Sequence, residues 1–101
     1  MGFDIALQNE RGQVIETVGD PKNLLHRVLE GAIPEEPGLA EIDWNGDTTF
    51  NRSQLPRFLS QWAVVVRHSK SEEERDLVRK IESLAERCRD GVHLYLKFIG
   101  D

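Results

Sequence analysis

Asp43, Asn45 and Asp47 place oxygen-bearing side chains at alternate positions of the stretch DWNGDTTFN, residues 43–51. Oxygen ligands at that spacing suit a hard cation such as calcium. The same letters put Asn45-Gly46 between two β-prone runs. Asn-Gly is favoured where both central residues of a two-residue hairpin need positive φ. The stretch is therefore either a metal loop or a corner.

Counted from Asp43, the loop resembles an EF-hand loop locally, with Asp43, Asn45 and Asp47 at its first, third and fifth positions and Phe50 at its apolar eighth. The likeness stops at two positions. The sixth, where glycine permits a sharp bend, is Thr48, and the twelfth, where glutamate gives two oxygens, is Gln54. Pro37 and Gly38 also leave little room for an entering helix. The corner is the better reading: a hairpin turning at Asn45-Gly46, with Leu39, Ile42 and Trp44 leading in and Thr48, Thr49 and Phe50 leading out. A weak calcium site at Asp43, Asn45 and Asp47 is the alternative.

Other chemistry is sparse. A nucleophile needs a nearby base, and a metal needs convergent ligands. The three histidines, His26, His68 and His93, are far apart in the chain. Cys88 falls on the apolar stripe of a helix, where a buried, inert thiol is expected. His93 is the one candidate for a small hydrolase or transferase, given a pocket that brings it a carboxylate or hydroxyl. No glycine-rich phosphate loop occurs and no cofactor is implied, so an enzyme is not the leading reading.

Charge is the clearest feature. The chain carries a formal −5, which disfavours broad phosphate neutralisation and hence nucleic-acid binding. Residues 1–50 hold 10 acids against 3 Lys/Arg, whereas residues 51–101 hold 8 against 10. From residue 30 to 47 there are six acids and no basic side chain. Such a face can steer a basic protein partner. Glu35, Glu36 and Glu41, with Trp44 as an aromatic anchor, are the candidate interface residues.

At 101 residues, 39% hydrophobic and 31% charged, the chain fits one domain with its own core and neither a disordered nor a membrane protein. The start MGFDIALQNERG lacks the basic head and apolar stretch of a signal peptide. Ala6 breaks the myristoylation pattern that Gly2 begins. The lone Cys88 allows no internal disulfide and no CxxC zinc pair, pointing to a cytoplasmic, bacterial-type compartment.

The elements follow from periodicity. Phe3, Ile5 and Leu7 alternate as in a half-buried strand, Gly12 suits a turn, and Val14, Ile15 and Val18 form a return strand. Asp20-Pro21 opens a helix striped by Leu24, Leu25, Val28 and Leu29, and Gly31 ends it. Asn51 and Gln54 form a capping box for a second helix, which buries Leu55, Phe58, Leu59, Trp62, Ala63 and Val66. Ser71 and Glu74 cap a third, with Leu77, Val78, Ile81, Leu84, Ala85 and Cys88 inward. VHLYLKFIGD closes the chain as a strand that includes Val92 and His93. The predicted architecture is a single α+β domain, residues 1–101, ordered ββα-ββαα-β. Its sheet is largely antiparallel, with helices on one face. Strands at the sheet ends leave a homodimer open.

GDTTFN at residues 46–51 and HLYLKFIGD at residues 93–101 together resemble blocks in a group of small bacterial proteins without an assigned activity. The resemblance implies a compact domain ending on that strand and no particular chemistry. The expectation is a small, non-enzymatic protein-binding module, an inhibitor or immunity-type protein, working through its acidic surface.

Overall fold

The computed structural model describes residues 2–100. Met1, part of the N-terminal reading, and Asp101, the last residue of the terminal block, lie outside the described residues. The chain runs β1 (Asp4–Asn9), β2 (Val14–Gly19), α1 (Leu24–Ala32), a 3-10 turn (Pro37–Glu41), β3 (Asp47–Phe50), a 3-10 turn (Arg52–Gln54), α2 (Leu55–His68), α3 (Glu72–Asp90) and β4 (Leu94–Ile99). The strands form one antiparallel sheet ordered β2-β1-β4-β3. The α+β class and the three helices are as the periodicity predicts.

Alternation decides which sheet face is covered. Ile5, Leu7, Leu96, Phe98 and Phe50 point to one face and join the side chains of α1, α2 and α3 in one core. Asp4, Gln8, Tyr95, Lys97 and Ile99 point to the other face and stay at least partly exposed. Ala6 also points there, yet it is only 1% exposed, because Thr17 and Lys97 flank it in register. Phe98 sits at the centre of the aromatic core, edge-on to Phe3 and Phe50. Phe58 stacks on Trp62 at 5.2 Å. The Trp62 indole donates to the Val78 carbonyl at 2.9 Å, which removes the cost of burying an unpaired N–H and ties α2 to α3.

The strand expected before Asn45-Gly46 is a 3-10 turn instead, so β3 has no hairpin partner and pairs only with β4. Leu39 and Ile42 are both buried, at 1% and 3% exposure. Their spacing of three is the 3-10 period, not the strand period. Pro37 pre-sets φ at the start of that turn. Neither Asn45 nor Gly46 has positive φ, so the type I′ turn is absent. The chain bends because the Asp43 carboxylate accepts the Asn45 N–H at 2.9 Å while Asp43 N–H donates to the Thr48 hydroxyl. This is an Asx turn.

Helix boundaries shift for local reasons. α1 begins at Leu24 rather than Pro21, after Asn23 turns through a left-handed φ of 55°. Asp20 still caps it, because its two oxygens accept the N–H groups of Leu24 and Leu25 at 2.9 and 2.8 Å. Gly31 does not end α1, which continues to the fully buried Ala32. The Asn51–Gln54 capping box forms as expected. Ser71 caps Glu74 N–H, but the Glu74 carboxylate takes Lys70 N–H rather than that of Ser71. On α2, Ala63 is exposed and Val64 and Val65 are buried, since α2 packs against both α1 and α3. β4 begins at Leu94. Val92 is 65% exposed, and His93 takes a left-handed φ of 56° before the strand.

Candidate functional site

Of the six acids between residues 30 and 47, three are already engaged in ion pairs. Glu35 binds both Arg67 and His68, the latter at 3.0 Å. The His68 ring and the Arg67 guanidinium hold its carboxyl below the usual carboxylate range. Glu30 meets His26 at 3.2 Å. Asp47 meets Lys97 at 3.3 Å across the β3–β4 edge. Glu36, Glu41 and Asp43 have no ion-pair partner among the described residues.

Trp44 is half-buried at the edge of the core. The His26 ring lies 3.9 Å from it, centre to centre, at 48°. Beside Trp44 opens a cleft of about 460 Å3 lined by Ile33, Ala40, Glu41, Ile42, Asp43, Trp44 and Asn45. Glu41 and Asp43 thus share a cleft with an aromatic and aliphatic wall, an arrangement that can take a cation with an apolar stem. Of the expected interface residues, Glu41 and Trp44 come together here, Glu36 stands apart from the cleft, and Glu35 is neutralised. Ile33 and His26 were not foreseen. Ile33 follows α1 directly, and His26 lies one helical turn before Glu30, so only the packing of α1 on the loop brings them to Trp44.

Of Asp43, Asn45 and Asp47, the two carboxylates are engaged within the chain. Asp43 is used in the turn and Asp47 faces Lys97. What enters the loop is the short turn Pro37–Glu41. No group of three or more His, Cys, Asp or Glu side chains is arranged for a metal among the described residues.

His93 is exposed, with Nδ1 3.4 Å from Glu10 Oε2. It borders a shallow depression of about 310 Å3 together with Asn51, Arg52 and Ser53. The Ser53 hydroxyl donates to Asn51 at 2.7 Å, so it is engaged in the helix cap rather than with His93. Cys88 is buried, and burial pushes its thiol up, away from the reactive thiolate.

The last turn of chain closes over the loop from behind. Gly100 N–H donates to the Gly46 carbonyl at 2.7 Å. A Cβ at Gly100 would lie 2.6–2.7 Å from the carbonyl oxygens of Asp43, Trp44 and Gly46, so that position admits only glycine. No helix among the described residues is long and apolar enough to cross a membrane. The chain matches no family model, no curated protein and no solved structure.

Proposed function

We propose that the chain is a small non-enzymatic binding module, of the inhibitor or immunity type, that receives a basic side chain of a protein partner in the cleft beside Trp44. One observation carries this reading: Glu41 and Asp43, without basic partners of their own, rim a cleft walled by Trp44, Ile33 and Ile42. An aromatic ring with carboxylates at its rim attracts a lysine or arginine both by charge and by the ring's quadrupole. The site is anchored by rigid elements, since Ile42 is buried and Gly100 locks the loop backbone. Little ordering is then lost on binding.

Oligolysine and an arginine-containing peptide serve as probes, followed by tryptophan fluorescence at low and high salt. Trp62 is fully buried, so a spectral change reports Trp44. Saturable binding that weakens with salt and is reduced about tenfold or more by Glu41→Lys and by Trp44→Ala supports the reading. Binding indifferent to both substitutions, or no binding at low salt, rejects it.

A further inference from the structure

The His26 and Trp44 rings touch, with their centroids 3.9 Å apart. His26 projects from the first turn of α1, and its Nε2 stands 3.2 Å from Oε1 of Glu30, one helical turn further on. The imidazole side chain is 38% exposed, so it exchanges protons with water. His26 does not line the cleft of about 460 Å3 beside Trp44; it borders that cleft through the indole. Other charged groups around α1 are committed elsewhere. Lys22 pairs with Glu73 of α3, and Arg67 and His68 of α2 pair with Glu35. Glu74 of α3 accepts from Lys70 N–H. Arg27 follows His26 in the chain as a fixed cation. That leaves Glu30 on the same helix, and Glu41 and Asp43 on the segment that carries Trp44.

We propose that His26 is a pH switch for this cleft, its protonation lowering the affinity for a basic side chain. This control presupposes that the cleft receives basic side chains. Two attractions draw a lysine or arginine there: the negative charge of Glu41 and Asp43, and the electron-rich face of the ring. One proton weakens both. An imidazolium against Trp44 sets a like charge beside the incoming one and takes up the indole's cation–π attraction itself. Glu30 does not cancel the change. Carboxylates ordinarily titrate near about pH 4, below the imidazole window of about pH 5 to 8. Across that window Glu30, Glu41 and Asp43 contribute a constant charge, and the field at Trp44 shifts by one positive unit. Glu30 instead holds the imidazolium in place on the ring. Neutral His26 is the receptive state, and a fall in pH dismisses the partner.

Calorimetric titration with oligolysine at about pH 7.5 and about pH 5.5 tests this, because lysine side chains carry their charge at both. Wild-type affinity is expected to fall about threefold or more at the lower pH, the effect of a second cation within about 8 Å at a solvent-exposed site. His26→Phe keeps an uncharged ring against Trp44, and His26→Gln an uncharged polar side chain. Both are expected to bind oligolysine equally at the two pH values, while His68→Gln keeps the wild-type response. Without ligand, Trp44 emission is expected to drop over the same range in wild type and in neither His26 variant, since an imidazolium in contact quenches an indole. Equal wild-type binding at both pH values, or a drop that both His26 variants retain, overturns the switch and leaves the role of the cleft standing. Wild-type emission that ignores pH does the same. No binding at the higher pH rejects the role of the cleft, and the switch with it.

Discussion

The two edges of the sheet are built differently. β3 is four residues long, reads DTTF and is held at its start by the Gly46–Gly100 hydrogen bond and the Asp47–Lys97 pair. β2 is six residues long, has β-branched side chains in the open and presents the unpaired backbone of Thr17 and Gly19. An open edge is a template for another strand, and shortness, charge or covering blunts it. β3 is short and carries a charge at its start, and β2 has a bulge. The acidic loop, which looks like a surface feature in the sequence, is thus tied to the β4 side of β3.

Substitutions can break that contrast, and the largest effect belongs to the β3 side. Gly100→Val drives a side chain into three carbonyls. It is expected to cost about 1–3 kcal/mol of stability by urea denaturation, the range for overpacking a tight site. A variant as stable as wild type would mean that Gly100 does not hold the β3 edge. Next is Asp20→Ala, at the exit of β2. Loss of a buried cap on α1 should cost about 1–2 kcal/mol in the same assay. This tests whether β2 is anchored from its end rather than along its edge.

A smaller effect separates both edges from the loop by pH. Glu35 is held below its ordinary value of 4.5 by His68 and Arg67. A depressed carboxylate contributes stability that is complete above its unfolded pKa and is lost as pH falls through the folded one. The stability difference between wild type and Glu35→Gln should therefore be present at neutral pH and shrink as the pH drops below about 4.5. A difference that persists in acid would assign the effect to packing. Smallest of all is Ile15→Lys, which should change dilute, monomeric stability by less than about 0.5 kcal/mol. Denaturation at low concentration checks this, and a larger loss would show that the β2 edge supports the monomer.

Much of the fold was legible because its signals are local. The α3 stripe from Leu77 to Cys88 repeats at helical spacing, and all of it is buried. The alternation of Leu94, Leu96 and Phe98 marks β4, and the Asn51–Gln54 box marks the start of the second helical segment. The segment before Asn45-Gly46 was not legible. Leu39 and Ile42 fit a 3-10 turn, while Ile42 and Trp44 fit a strand, and only the core beneath them selects the first. The Asn-Gly pair misled for a related reason. It is favoured in a hairpin, but a hairpin needs an incoming strand, and the preceding segment Pro37–Glu41 is a 3-10 turn instead.

The candidate site divides in the same way. The acidic run and its exposed Glu41 could be read directly from composition. That Glu35 is neutralised could not, because Arg67 and His68 lie more than thirty residues away and reach it only when α2 docks beside α1. The sequence alone determined the class of fold, the three amphipathic helices and the concentration of negative charge, since these depend on spacing and count. Tertiary structure alone decided which acids stay without partners, what covers Trp44 and which sheet edge stays open. Those outcomes depend on contacts between segments remote in the chain, and local residue order does not encode such distances.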